Sequence, residues 1–162
     1  GTYATLFAQA NPDLQCIVLD LPDVVTIAGE LIQEQGLSDR VTTQAGSYRT
    51  ADFPSNIDVI NFFGVLHQES PESIQALFDK AFEALNPGGL VHVMDMMTDA
   101  SHTSPKFSAL FAVNMALTTE NGWVFSDVEL VAWLEKAGFV GAHVQALPEP
   151  MPHWLIQAKK PR

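Results

Sequence analysis

The apolar run from Ile57 to Phe63 constrains the fold more than any other stretch of this chain. Its β-branched and aromatic residues predict a strand buried on both faces, as the strands of parallel sheets are. Gly64-Val65-Leu66-His67 follows the strand. Ligands of open α/β sheets bind outside the carboxyl ends of the strands, which is where His67 is expected. Histidine is the side chain whose unperturbed pKa suits proton transfer near neutral pH. A structural histidine at a strand end is the alternative, and position alone leaves both interpretations open.

Strand-like and helix-like stretches alternate along the chain, which predicts an α/β fold. The predicted strands run from Cys16 to Asp20, Val41 to Ala45, Ile57 to Phe63, Leu90 to Met96, Phe139 to Leu147 and His153 to Ala158. The predicted helices run from Ala4 to Ala10, Pro22 to Gly36, Pro71 to Leu85, from Pro105 onward and from Ser126 to Gly138. A turn is expected at Asn86-Pro87-Gly88-Gly89, between a helix and a strand.

The last two predicted strands are joined by the short link Pro148-Glu149-Pro150-Met151-Pro152. A link of this length permits an antiparallel hairpin, whereas a parallel partner needs a longer crossover. The prediction is therefore a doubly wound, mostly parallel sheet that ends in a C-terminal antiparallel hairpin. The length of 162 residues, without an internal repeat or a linker, favours one domain over residues 1–162.

Charge and composition exclude several classes of partner. The formal net charge of −11 argues against a nucleic-acid partner, because contacts to phosphates need clustered Lys and Arg. No apolar run is long enough for a membrane span. Cys16 is the single cysteine, which excludes a disulfide framework and favours a reducing, cytoplasmic location. No metal is expected, because the remaining histidines lack the spacing of metal ligands: His92, His102, His143 and His153.

Asp20 ends the first predicted strand and stands nineteen positions after Gly1. Dinucleotide-type folds carry glycines at their first strand-to-helix turn and, about 20 residues later, an acidic residue that binds ribose hydroxyls. Only the last glycine of such a loop could be present here. Asp20 is therefore a candidate for ribose binding, and an ordinary helix-capping aspartate is the alternative.

Several short motifs occur together in a fixed order. They are G-T-Y-A, V-L-D-L-P-D-V, D-R-V, A-G-S-Y, V-L-H, N-P-G-G-L-V-H-V-M-D, and the late W-V-F-S-D-V-E-L with L-E-K-A-G-F. The ordered set resembles the catalytic domain of S-adenosylmethionine-dependent O-methyltransferases, above all the bacterial and plant enzymes that act on small molecules. The resemblance covers essentially all 162 residues.

The resemblance implies S-adenosylmethionine as the cofactor and assigns residues to it. Gly1 corresponds to the end of the glycine-rich loop, Asp20 to the acid that holds the ribose, and Leu21 to the residue beside the adenine. Gly46-Ser47-Tyr48 stands where the family has Gly-Asp and an apolar residue that lies on the adenine, so Ser47 is a departure. Phe63 and Gly64, at the end of the central strand, complete the expected cofactor set.

The same resemblance implies that His67 is the base that takes the proton from an acceptor hydroxyl. Asp95 matches an often acidic position that can orient this base. Gln68 and Glu69 differ from the residues usual after the histidine, and the position of a second acidic partner falls near Val124. These departures imply a weaker or differently assisted base. A histidine beside a carboxylate is held in one tautomer and kept basic.

A small, flat acceptor, aromatic or polyketide-like, is the expected substrate. Its candidate contacts are the apolar side chains of Phe107, Phe111, Met115 and Trp123, together with Asn114, which interrupts an apolar helix stripe. Ordinary core packing is the alternative for the apolar residues, and a hydrogen-bonded core position for Asn114. Glu69 and Glu72 are interpreted as a solvated helix start.

The resemblance also bears on the start of the chain. A methyltransferase sheet is built outward from a first strand, and here the chain opens at Gly1, after that strand. An upstream segment of the same chain is therefore expected to supply the strand, the other glycines and a helical region that forms a homodimer. Two other functions stay open: an inactive methyltransferase-like scaffold, and a nicotinamide-dependent oxidoreductase, which no catalytic motif here supports.

Overall fold

The computed structural model describes residues 1–162, which form two compact units, Gly1–Asp52 and Phe53–Arg162. The first unit contains helix α1 (Thr2–Ala10), strand β1 (Cys16–Asp20), helix α2 (Pro22–Glu34) and strand β2 (Val41–Ala45). β1 and β2 pair in parallel, with Asp20 opposite Ala45. Their carboxyl ends therefore lie side by side at one edge of the sheet.

The core of the first unit is small and formed mainly by the inner faces of its two helices. Its buried members are Ala8, Ala28, Ile32, Leu37 and Val41. Pro22 occupies the first turn of α2, where a missing backbone N–H costs nothing. Gly36 follows the helix with a φ of +68°, the left-handed conformation that a residue without Cβ adopts most readily. The sequence pattern thus determines both ends of α2.

The second unit contains a four-stranded mixed sheet in the order β3-β4-β6-β5. Its strands are β3 (Ile57–Phe63), β4 (Leu85–Asp95), β5 (Val140–Ala146) and β6 (Trp154–Lys159), and its helices are α3 (Pro71–Ala84), α4 (Lys106–Thr118) and α5 (Asp127–Lys136). β3 and β4 are parallel, and β6 is antiparallel to both β4 and β5. The predicted α/β class and the C-terminal antiparallel hairpin are confirmed.

One face of this sheet carries the core. Val91, Val93, Ile156 and Ala158 are buried on β4 and β6, and Phe62 on β3 packs edge-on against Phe78 of α3 at a centroid distance of 5.9 Å. Leu130 and Leu134 of α5 are fully buried as well. The alternation of buried and less buried residues along β4 directs every second side chain into this core.

The prediction of a turn at Asn86-Pro87-Gly88-Gly89 that separates a helix from a strand is wrong, because β4 begins at Leu85, directly after α3. The register explains the difference. Ile57 pairs with Leu85 and Val59 with Leu90, so the segment bulges out of the ladder while pairing continues on both sides. Gly88 absorbs the bend with a φ of +83°. None of the helices combines the length and the apolar character that crossing a bilayer requires.

Candidate functional site

The catalytic candidate His67 lies in a short 3₁₀ turn, Leu66–Gln68, that follows β3 in the second unit. The chain enters this turn through Gly64, whose φ of +66° is left-handed. The N–H of Gly64 still donates to the carbonyl of Met94, 2.8 Å away, so β3 stays paired to β4 up to the turn. The turn is thereby fixed at the carboxyl end of β3, beside the end of β4 that carries Asp95.

Asp95 is 1% exposed and holds the His67 turn through both carboxylate oxygens. Oδ2 accepts the backbone N–H groups of Leu66 at 3.1 Å and of His67 at 3.3 Å. Oδ1 lies 2.8 Å from Nδ1 of the His67 ring and accepts the N–H of Met96 at 2.8 Å. These contacts give the buried carboxylate the hydrogen-bond partners that its burial requires.

The contact to Asp95 determines which nitrogen of His67 carries the proton. An ionised carboxylate only accepts hydrogen bonds, so Nδ1 is the donor and Nε2 of the neutral ring keeps its lone pair. Nε2 has no hydrogen-bond partner in the protein, and the side chain of His67 is 16% exposed. The arrangement is therefore able to accept one proton at Nε2 and to stabilise the resulting imidazolium through Asp95.

Helix α4 contributes two of the predicted acceptor contacts to this neighbourhood. The ring of Phe111 meets the His67 ring edge-on, with centroids 5.3 Å apart and an interplanar angle of 74°. Met115, one turn further along α4, is buried. Asn114 and Phe107 are both exposed, so the structure does not bring them into the packed surroundings of His67.

Trp123 is tied to the His67 turn by two hydrogen bonds. Its backbone N–H donates to the carbonyl of His67 at 3.0 Å, and its indole Nε1–H donates to the carbonyl of Glu69 at 2.9 Å. The ring also belongs to an aromatic cluster with Phe125 and Trp133. The residue expected to line the acceptor pocket thus contacts the turn that carries His67.

Glu69 is only 2% exposed, so its interpretation as part of a solvated helix start is wrong. Its carboxylate Oε2 accepts the hydroxyl of Ser73 at 2.5 Å, across the first turn of α3. Glu72 is exposed, as expected. Hydrogen bonds with its own backbone and with the Ser70 side chain lower the pKa of its carboxyl. Sequence reasoning missed Glu69 because its surroundings include Trp123, 54 positions away, whose indole N–H donates to the Glu69 carbonyl.

The first unit brings together the cofactor candidates that lie at the ends of β1 and β2. The N–H of Gly46 donates to the carbonyl of Asp20 at 2.9 Å, and the N–H of Leu21 donates to Asp20 Oδ1 at 2.8 Å. Oδ2 of Asp20 has no hydrogen-bond partner in the protein. Leu21 is exposed, and Ser47 and Tyr48 continue the turn after β2. This end of the unit therefore presents one free carboxylate oxygen beside an apolar side chain.

The departure at Ser47 has a local structural explanation. Its hydroxyl oxygen accepts the N–H of Arg49 at 3.3 Å, and its carbonyl accepts the N–H groups of Thr50 and Ala51. Ser47 therefore stabilises its own turn. Gly46 is required there, because a Cβ would lie 2.8 Å from the Cβ of Ala51.

The remaining cofactor candidates lie at two other places. Gly1 precedes α1 and packs on α2, where a Cβ would lie 3.6 Å from that of Ala28. Phe63 is half-buried at the end of β3, and a Cβ on Gly64 would meet open space. No group of three or more His, Cys, Asp and Glu side chains is arranged to hold a metal ion among the described residues.

Comparison with known proteins identifies related sequences along nearly the whole chain. The sequence profile of the O-methyltransferase domain family matches residues 1–140. The L-tyrosine C(3)-methyltransferase of Streptomyces lavendulae is 35% identical over 156 residues, which are 94% of this chain and 43% of that protein. The tetracenomycin polyketide synthesis 8-O-methyl transferase TcmO of Streptomyces glaucescens is 32% identical over 162 residues, covering all of this chain and 47% of the relative.

Solved structures show the same relationship. The S-adenosylmethionine-dependent methyltransferase SibL, crystallised in its apo form, superposes with a TM-score of 0.88 at 34% identity. The superposition covers 98% of this chain and 47% of SibL. The chain thus spans about half the length of the proteins that it matches.

Proposed function

This chain belongs to the family of O-methyltransferase domains, and from that premise we propose that it catalyses methyl transfer from S-adenosylmethionine to a hydroxyl group of a small molecule. The observation that carries the proposal is the 2.8 Å contact between His67 Nδ1 and Asp95 Oδ1, which leaves Nε2 free to take a proton. Deprotonation makes a hydroxyl oxygen a far better nucleophile, and a positioned histidine is the usual base for this step.

The class of acceptor is supported by the names of the relatives. One is an L-tyrosine C(3)-methyltransferase, and the other is an 8-O-methyl transferase of tetracenomycin polyketide synthesis. We therefore propose an aromatic or polyketide-like acceptor. Phe111 of α4, whose ring meets that of His67, offers apolar surface for a flat ring, and the buried Met115 supports it one turn further along the helix. The His67–Asp95 pair favours oxygen as the methylated atom, because a hydroxyl oxygen becomes a much better nucleophile when a base removes its proton.

The residues at the end of the first unit fit the nucleoside part of the cofactor. The unpartnered Oδ2 of Asp20 can accept hydrogen bonds from ribose hydroxyls, and the exposed Leu21 can pack on the adenine. Gly46 and Tyr48, in the turn after β2, would help to hold the adenine ring. When bound, S-adenosylmethionine supplies a methyl group on a positively charged sulfur.

The side chains of the second unit then have separate tasks. His67 takes the acceptor proton at Nε2, and Asp95 stabilises the imidazolium that forms. Phe111 limits the movement of the imidazole ring by its edge-on contact. Displacement at a methyl group requires the attacking atom to be in line with the leaving sulfur, so fixed orientation of these groups contributes as much as basicity.

We further propose that the complete protein is a cytoplasmic homodimer in which residues upstream of Gly1 add a strand and a helical region. β1 and β3 are each at an edge of their sheet, and unpaired edges favour the addition of a strand. α4 exposes an apolar row, which favours a protein contact: Phe107, Leu110, Val113 and Leu117. Cys16 is a free thiol, in keeping with a reducing compartment.

Calorimetric titration of the intact protein with S-adenosylmethionine and with NAD tests the proposed function. We expect binding of S-adenosylmethionine and none of NAD, together with methyl transfer to a phenolic acceptor. Binding of NAD alone would favour an oxidoreductase. Binding of neither cofactor would indicate the inactive scaffold.

A further inference from the structure

The backbone of His67 is held on both sides by different parts of the chain. Asp95 accepts its N–H at 3.3 Å, and the N–H of Trp123 donates to its carbonyl at 3.0 Å. The indole N–H of Trp123 makes a second contact two residues later, to the carbonyl of Glu69 at 2.9 Å. The turn that carries His67 is therefore fixed at both of its peptide groups.

We propose that Trp123 is a positioning residue that aligns the His67 base, a role that rests on the function proposed above. The two acceptors of its N–H groups flank Gln68 on both sides. Holding both carbonyls sets the pitch of the turn, and with it the direction in which the Cα–Cβ bond of His67 points. The ring contacts to Asp95 and Phe111 then determine the rotamer.

The segment before Trp123 is shaped for this close approach. A Cβ on Gly122 would lie 3.1 Å from the carbonyl oxygen of His67 and 3.1 Å from the Cβ of Met115. It would also collide with the side-chain hydroxyl of Thr119. A side chain at position 122 would crowd both the end of α4 and the His67 turn, so glycine favours the close approach by which Trp123 reaches both carbonyls.

Glu69 fixes the far end of the same turn. Its buried carboxylate accepts the Ser73 hydroxyl of α3, while its carbonyl accepts the Trp123 indole. Loss of the indole N–H would leave that carbonyl without this partner and free the turn to relax. Because Trp123 follows α4, which carries Phe111 and Met115, the contact also links the surface proposed for the acceptor to the base.

Trp133 provides a matched control for a purely structural role. It lies in the same aromatic cluster, with its ring centroid 5.9 Å from that of Trp123, and both side chains are half-buried. Its indole forms no hydrogen bond to the His67 turn. If Trp123 only fills the aromatic cluster, Trp123→Phe and Trp133→Phe should therefore have the same effects on kcat and on the His67 tautomer.

The experiment compares Trp123→Phe with Trp133→Phe in the intact protein. Each variant is measured for kcat, for KM of acceptor and cofactor, for Tm, and for the ¹⁵N shifts of the His67 ring, which report its tautomer. We expect Trp123→Phe to lower kcat by about tenfold or more, as misplacement of a reacting group does, with an unchanged cofactor KM. Its ¹⁵N shifts should indicate a mixture of tautomers. Trp133→Phe should keep the kcat and the tautomer of the wild type, even if its Tm falls as much as that of Trp123→Phe.

The proposal is overturned if Trp123→Phe keeps the wild-type kcat and tautomer, or if both variants change them equally. Should Trp123→Phe fail to fold, benzothienylalanine at position 123 keeps the bicyclic shape and replaces the N–H by sulfur, with the same expected result. The ¹⁵N measurement also separates the two proposals. An intact protein that transfers no methyl group refutes the proposed function, while the tautomer of the Trp123 variants still decides the positioning role.

Discussion

The carboxylate of Asp95 binds His67 twice, through Oδ1 to the ring nitrogen Nδ1 at 2.8 Å and through Oδ2 to the backbone N–H at 3.3 Å. One buried side chain thus orients both the imidazole and the turn that carries it. A carboxylate in this position has an electrostatic role as well, because it stabilises the ring when Nε2 takes a proton. Both roles are tested by a substitution that keeps the shape of the side chain and removes its charge.

Asp95→Asn is that substitution. The amide oxygen can still accept the backbone N–H groups of Leu66 and His67, but the amide N–H₂ then faces Nδ1 and favours the tautomer with the proton on Nε2. We expect kcat to fall by about 10²–10⁴-fold, the range for loss of general base catalysis. Steady-state kinetics with ¹⁵N spectra of the ring measure both changes. Asp99→Asn, in the loop after β4, is the control, and equal rates in the two variants would contradict the role of Asp95.

Asp20→Ala tests the cofactor contact in the first unit. Loss of the free Oδ2 should weaken S-adenosylmethionine binding by about 1.5–3 kcal/mol, the range for hydrogen bonds to a charged group. Isothermal titration calorimetry measures the change, and Asp13→Ala, an exposed aspartate of the same unit, controls for net charge. An unchanged affinity in Asp20→Ala would remove this residue from the cofactor site.

Two glycines of the first unit should respond in opposite directions to alanine. Gly46→Ala places a Cβ 2.8 Å from that of Ala51, and such overpacking should cost about 1–3 kcal/mol of unfolding free energy. Gly29→Ala lies within α2, where a Cβ meets nothing within 4 Å, and should stabilise the unit by about 0.4–1 kcal/mol. Urea unfolding measures both free energies. A neutral Gly46→Ala would show that the turn after β2 adapts.

Burial at the sheet lowers the pKa of His92 from its ordinary value of 6.5, and the side chain of Gln157 opposes the shift. Since the folded pKa is the lower one, the neutral form stabilises the fold above about pH 6.5, and this contribution is lost as pH falls through the folded pKa. His92→Gln should therefore show a smaller loss of unfolding free energy between pH 7.5 and pH 5. Parallel pH profiles in the two proteins would refute the assignment.

The sequence predicted the elements whose signals are local. Ile57–Phe63 reads as a strand from its apolar pattern alone, and Pro22 and Gly36 mark the ends of α2 through their backbone preferences. The segment 86–89 was misjudged because its proline and glycines signal a turn, whereas pairing with β3 keeps the segment within a bulged strand. Register depends on a partner strand, which no local pattern contains.

The site was predictable only in part, for a related reason. His67 and Asp95 stand at the ends of neighbouring parallel strands, so topology is enough to expect them close together. The two hydrogen bonds of Trp123 depend on the path of the chain after α4, and no periodicity encodes that path. Asn114 interrupts an apolar stripe that the structure leaves partly exposed, so its polarity needs no special partner.

The most direct test of the account is the turnover of the intact protein with His67→Ala, measured beside its affinity for S-adenosylmethionine. If Nε2 of His67 is the base, kcat should fall by about 10²–10⁴-fold. The calorimetric Kd for the cofactor should stay at the wild-type value, because Asp20 and its neighbours are untouched. Turnover within a factor of a few of the wild-type value, with an acceptor whose hydroxyl is un-ionised at the assay pH, would show that His67 is not the base.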